Sequence, residues 1–463
     1  MVDSSLGRYR ATLVRLAVAL LTLVAAFPWQ TFDLLGLGVA LAWATLAALV
    51  LSVELSAGLI LTATSTLGFM LAYSSGLGDA VAEGVIQNGV TASPEGSLGA
   101  VSGLALFLVV LAAVADFVRR LGRRVLRPRR EPPERRPDVA IAVVLCLAVC
   151  LVAAIDAGNW TQWTGEREAP SSGGLRLELV YPASLLAAWA YGTLGWLDGT
   201  LGVRRRWLLT VAGAVTATLL FIQQSRRLMI AAALLTALAQ LLGTRHRTLR
   251  AAAPKLAATV AVLAVFTLAS SGWRSAADEE ALTMGDRFAR ALGAVSDPKS
   301  LEGFESRLTY LWFDAMTHDL SSSHGAEVDG GELLLSAVVT AIPRSLFEAK
   351  ADFDQVTCEA GVEGFAGMDV DLPCTPAGEG WLMWGVLGVL FAGALWGLTL
   401  GIAEVCVERG PGLARVFGLY LFNQFILVET GVFASVTALR LGLIGLAGVA
   451  LIAAVTRLGT RAR

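Results

Sequence analysis

Histidine and lysine are nearly missing from this chain. Its 463 residues hold three of each: His246, His318 and His324, and Lys255, Lys299 and Lys350. With so few histidines, and five cysteines in no zinc-like spacing, a metal centre built on nitrogen or sulfur is not expected. Charge is scarce as well. Only 16% of residues are charged, 55% are hydrophobic, and mean hydropathy is +0.65. Soluble domains carry about a quarter charged residues, so the composition excludes a soluble enzyme, a nucleic-acid-binding domain and a disordered chain. A cleavable leader is also not expected. The first apolar run, Ala11–Phe27, contains Arg15, lacks a small-residue exit and reads as a span.

What the chain does have is apolar runs of about 20 residues, the length that crosses a hydrocarbon layer as a helix. The expected fold is an all-α polytopic membrane protein of twelve spans, at 11–28, 34–53, 56–76, 98–118, 139–156, 179–199, 207–225, 228–243, 256–272, 381–403, 416–434 and 438–456. Arginines set the orientation, because short basic loops stay in the cytoplasm. Arg8 and Arg10, nine arginines in 119–138, Arg204–Arg206, Arg245–Lys255, Arg409/Arg415 and Arg457–Arg463 all fall on one side if both termini are cytoplasmic. Three regions follow: a bundle of spans one to nine at 1–272, with the Arg-rich cytoplasmic loop at 119–138; an outer segment at 273–380; and spans ten to twelve at 381–463. The outer segment carries twenty acids against seven bases. Helical stretches at 283–295, 303–320 and 331–342 make it a folded cap, the last being too short to span and suited to a re-entrant or interfacial position.

Charged groups near membrane depth are functional candidates by default. Arg226 and Arg227 open the short eighth span on the outer side, where a guanidinium fork suits a phosphate oxygen pair; snorkelling to headgroups is the alternative. In 303–320, a helix would place Arg307, Tyr310, Asp314 and His318 on one face. A carboxylate beside a histidine can orient the ring for general-base work, and a solvated polar face with an ordinary Asp–His contact fits the same spacing. Pro343 stops the 331–342 helix and is followed by Arg344, with Lys350 six residues on. Glu379 precedes the glycine-studded tenth span.

Three short segments resemble the oligosaccharide repeat-unit polymerases that build O-antigen and exopolysaccharide in bacterial envelopes. They are Gln223-Gln224-Ser225-Arg226-Arg227, Ile342-Pro343-Arg344-Ser345-Leu346-Phe347 with Lys350, and Glu379-Gly380-Trp381 followed by Gly385 and Gly388. The layout of many spans with one large outer loop is similar too. The sequence departs from the family pattern at Ala351, where a second proline is usual, and at Met383-Trp384-Gly385, where Asn-Phe-Gly is usual. The resemblance implies a multi-pass protein of the bacterial inner membrane with its active site facing the periplasm. There a hydroxyl of one polyprenyl-diphosphate-linked oligosaccharide attacks the anomeric carbon of another, and polyprenyl diphosphate leaves. It implies no cofactor and no metal. It also implies a clamp for the diphosphate from Arg226, Arg227, Arg274 and Arg344, with Arg307, Tyr310 and Lys350 as further substrate contacts. The base would come from Asp314, His318 or Glu379. Implied partners are the lipid-linked donor and acceptor, membrane lipid, a chain-length regulator and a flippase, and no nucleic acid. An O-antigen ligase acting on lipid A core and a transporter of the same lipid-linked sugar are the alternatives.

Cys358 and Cys374 lie in the outer segment, on the oxidising side, with fifteen residues between them. They either pair, closing a loop worth about 3 kcal/mol in the chain-entropy model, or stand as free thiols. A membrane-impermeant maleimide is expected to label neither in unreduced protein and both after reduction. Labelling of both without reductant rules out the disulfide.

Overall fold

The computed structural model describes residues 85–87, 90–125, 284–297, 311–323, 330–341 and 375–409, with single positions scattered through 261–272 and 414–443. Ten of the twelve expected spans lie outside these stretches or are touched only at single positions. The described elements are helical but for one hairpin, β1 (Val85–Gln87) paired antiparallel with β2 (Val90–Ala92). Asn88-Gly89 separates the strands in sequence, the dipeptide that two-residue hairpin turns favour. The helices are α1 (Pro94–Val125), α2 (Met284–Ala294), α3 (Leu311–Ser323), α4 (Gly330–Ala341), α5 (Pro376–Trp384) and α6 (Val386–Arg409). Two of them, Pro94–Val125 and Val386–Cys406, are long and apolar enough to cross a membrane.

The chain divides into two compact units. The first unit comprises 1–127, 307–408 and 424–440; the second comprises 128–306, 409–423 and 441–463. In the second unit, α2 turns Ala291 and Ala294 inward and Leu292 outward. Gly272 rests on that inner face, where a Cβ would lie 2.6 Å from the Ala294 Cβ and 2.7 Å from the Arg290 carbonyl.

The first unit is built on α1 and α6. Gly393, Gly397 and Gly401 repeat every fourth residue and form one face of α6. A Cβ at these positions would lie 2.8 Å from the Phe107 carbonyl, 2.5 Å from that of Leu111 and 3.0 Å from that of Ala115. Small residues at this spacing let two backbones meet. Residue numbers rise together along both helices, so α1 and α6 run parallel; as fourth and tenth spans they would also cross in the same direction. Trp396 is fully buried, with Phe107 and Phe425 edge-on to it at ring centroid distances of 6.2 and 4.8 Å. Leu387 and Leu398 of α6 are exposed, and Phe117 and Leu121 are exposed among the charged residues that end α1. At the basic end of α1, Asp116 accepts from Arg119 and, at 2.6 Å, from Arg120. This acid is therefore held in an ion-pair cluster.

Both helices differ from the expected spans at their starts. Helix α1 begins at Pro94 rather than at 98. The expected tenth span is two helices: α5 starts at Pro376 rather than at 381, and the chain turns back at Gly385, whose φ of 60° favours glycine, so that a Cβ on Gly388 would fall onto the Gly380 carbonyl. Helix α3 crosses in front of these starts, packed on α1, α5 and the hairpin. Its residues Phe313 to Met316 are buried. Helix α4 sets Leu333, Ser336 and Val339 inward at helical spacing and leaves Leu335 and Val338 exposed.

Gly397→Val is expected to destabilise the protein by about 1–3 kcal/mol through overpacking. Gly293→Ala, where a Cβ meets nothing within 4 Å, is expected not to destabilise it. Thermal unfolding in detergent checks both; an unaffected Gly397→Val refutes the close packing.

Candidate functional site

Two helix starts in the first unit share one local sequence, Ser93-Pro94-Glu95-Gly96 for α1 and Thr375-Pro376-Ala377-Gly378 for α5. A Ser or Thr at the cap followed by Pro in the first turn is a strong start signal, since Pro lacks a donor the first turn would leave unpaired anyway. The geometry repeats with the sequence. The Gly96 N–H donates to Ser93 Oγ at 2.9 Å, and the Gly378 N–H donates to Thr375 Oγ1 at 2.9 Å. One turn on, Ser97 N–H and Glu379 N–H donate to the two cap carbonyls at 3.0 and 2.9 Å.

Each capping hydroxyl then donates onward to an aspartate of α3. Thr375 Oγ1 donates to Asp314 Oδ1. Ser93 Oγ donates to Asp319 Oδ1 at 2.8 Å, and the Ser93 N–H donates to Asp319 Oδ2 at 2.7 Å. The glycine in each motif makes this possible: a Cβ on Gly378 would fall onto the Asp314 carboxylate, and one on Gly96 onto that of Asp319. Negative charge is favoured at a helix N-terminus, so α3 clips two helices through two acids five residues apart.

Glu379 does the same for a third helix. It is 2% exposed, and its Oε2 accepts from the Val432 N–H. A Cβ on Gly431 would meet Oε1. The Ser435 N–H donates to the Gly431 carbonyl at 3.0 Å, which marks the first turn of the helix that opens at Val432.

The three sequence candidates for a base are therefore brought together in one unit, in unlike roles. Asp314 is fully buried and bonded to Thr375. Glu379 holds a helix start. His318 does not pair with Asp314 as the i,i+4 spacing suggested, because that carboxylate is turned to the α5 cap. The imidazole instead sits edge-to-face with Trp381, at a centroid distance of 4.7 Å and an interplanar angle of 85°. It occupies a socket opened by Gly99, where any Cβ would collide with the ring. Its Nδ1 is buried without a hydrogen bond, 3.9 Å from Asp319 Oδ1, while the side chain as a whole is 22% exposed. The Trp381 Nε1, over Gly103, is likewise buried without a hydrogen bond. His318 is thus the candidate base that retains an exposed edge.

Arg226, Arg227, Arg274, Arg307, Tyr310, Arg344, Lys350, Cys358 and Cys374 lie outside the described residues. Among the described residues, no group of three or more His, Cys, Asp and Glu is placed to hold a metal ion. Sequence reasoning missed Asp319, Ser93, Thr375 and Gly99. The repeated Ser/Thr-Pro-x-Gly motif was the available signal for the two caps; nothing local marked Gly99 or Asp319. No family model, curated protein or solved structure matches this chain.

Thr375→Val is expected to cost about 1–2 kcal/mol as a lost cap, and more because the buried Asp314 loses its donor. Ser93→Ala is expected to cost less, since Asp319 keeps the Ser93 N–H. Unfolding in detergent ranks the two variants, and the reverse order contradicts the geometry.

Proposed function

We propose that this chain is a membrane glycosyltransferase that polymerises polyprenyl-diphosphate-linked oligosaccharides at the outer face of a bacterial inner membrane. The observation that carries the reading is His318. It is a largely buried imidazole, 22% exposed, set between the first turns of α1 and α5. It lies against Trp381 of the Glu379-Gly380-Trp381 segment through which the chain resembles the repeat-unit polymerases. The C-terminal end of α1 carries Arg119, Arg120, Arg123 and Arg124, which by the positive-inside rule is the cytoplasmic end. His318 then faces the periplasm.

In this reading the acceptor sugar hydroxyl gives its proton to His318 as its oxygen bonds to the donor's anomeric carbon. The bond from that carbon to the diphosphate oxygen breaks, and polyprenyl diphosphate departs with the electron pair. Positive charge from Arg226, Arg227, Arg274, Arg344 and Arg307 offsets the charge building on the leaving group. Tyr310 and Lys350 contribute to sugar and phosphate binding. Asp314 and Glu379, whose carboxylates hold helix starts, shape the site and leave proton transfer to His318. A chain-length regulator and a flippase are the protein partners that accompany such an activity.

A second reading, transport of the same lipid-linked sugar, is favoured by one observation. An apolar helix interrupted at Gly385 beside the buried Glu379 is a form that transporter binding sites use.

Purified protein given a polyprenyl-diphosphate-linked oligosaccharide is expected to produce a ladder spaced by one repeat unit. His318→Ala is expected to lower the rate by about 10²–10⁴-fold, the range general bases contribute. Arg227→Ala and Arg344→Ala are expected to remain folded and lose polymer. A single transfer that requires lipid A core identifies a ligase. Movement of the intact lipid across vesicles without transfer identifies a transporter.

A further inference from the structure

A histidine acting as a base through one ring nitrogen needs its proton on the other, and a partner that keeps it there. Of the two nitrogens of His318, Nδ1 is the buried one, so Nε2 is left to meet a substrate. Asp314, the partner suggested by sequence spacing, is committed to Thr375. Among the described residues, the ring also meets the indole of Trp381 and the backbone at Gly99. The anionic group beside Nδ1 is Asp319, at 3.9 Å. Its carboxylate is not free to swing, because Ser93 grips both oxygens through N–H and Oγ at the start of α1. A negative charge fixed on that side favours a proton on Nδ1 and leaves the Nε2 lone pair bare.

Resting on the reading that His318 is the base, we propose that Asp319 is its positioning residue, selecting the Nδ1–H tautomer from a carboxylate anchored on the N-terminus of α1. The 3.9 Å separation exceeds a hydrogen bond, and catalytic hydrogen bonds of this kind shorten when substrate closes the site. The inference also gives the connection that leads into α1 a role. The hairpin and the Ser93 cap become part of the apparatus that sets a proton on a ring more than two hundred residues away.

Only three histidines are present, so full-length protein labelled with ¹⁵N in the imidazole rings gives a readable spectrum in detergent, with His318 assigned from its loss in His318→Ala. With the ring neutral, wild-type His318 is expected to show a protonated Nδ1 and a bare Nε2, the reverse of the tautomer a histidine in water favours. Asp319→Asn keeps the size and one acceptor for Ser93. It is expected to move His318 towards the Nε2–H form and to lower glycosyl transfer about 10²-fold, with KM little changed. A bare Nδ1 in the wild type overturns the proposal, and that measurement needs no variant to fold. So does an unchanged tautomer in folded Asp319→Asn. If the tautomer follows Asp319 but His318→Ala transfers at the wild-type rate, the reading of His318 as the base falls and the tautomer assignment holds.

Discussion

The described architecture of the first unit depends on how two neighbouring helix starts, those of α1 and α5, are closed by one helix. Two helix starts that meet the same helix bring two sets of unpaired backbone N–H groups, each a positive dipole end, into one region. A Ser or Thr cap satisfies part of each set. Asp314 and Asp319 supply the opposing charge, and both come from one helix. Because α3 binds the two starts through the cap hydroxyls themselves, it fixes the spacing of α1 and α5 where they meet it. The glycine faces of α1 and α6 are the packing counterpart of that clip. Gly96 and Gly99 admit α3, Gly103 admits Trp381, and Gly393 to Gly401 bring α6 onto α1 further down.

This arrangement decides the chemistry available at the site. Three acids lie within one small region, which invites a reading in terms of paired catalytic carboxylates. Each of them faces the N-terminal turn of a different helix. An acid that accepts backbone or cap donors is held in place and satisfied, which is the opposite of what a mobile proton acceptor needs. His318 is placed by different forces, by ring packing on Trp381 and by the missing side chain at Gly99. Its polar atoms are therefore not consumed by its own anchoring, and the division of labour between acids and imidazole follows from that difference.

Much of this was legible in the sequence, unevenly. The apolar runs at 98–118 and 381–403 mark α1 and α6, and Pro343 follows the 330–341 helix. The helix starts were placed four or five residues late because hydropathy fades in the first turn, whereas Ser93-Pro94 and Thr375-Pro376 carry the boundary in their capping chemistry. The hairpin was missed although Asn88-Gly89 stands between two β-branched triplets. The pairing of Asp314 with His318 was inferred from spacing along a single helix. Spacing names which side chains share a face; it does not say what lies opposite that face.

By itself the sequence determined that this chain is apolar beyond any soluble domain, where the two described long helices lie, and which few titratable residues are available to it. Those are sums over neighbouring residues, and a chain carries them whatever it packs against. The tertiary structure alone decided that Thr375 meets Asp314 across 61 residues and that Ser93 meets Asp319 across 226. It likewise decided that Glu379 reaches the helix starting at Val432, and that Gly99 leaves room for an imidazole. A helix end attracts any carboxylate within reach; which one arrives is settled by the packing of distant segments, and no local pattern records it.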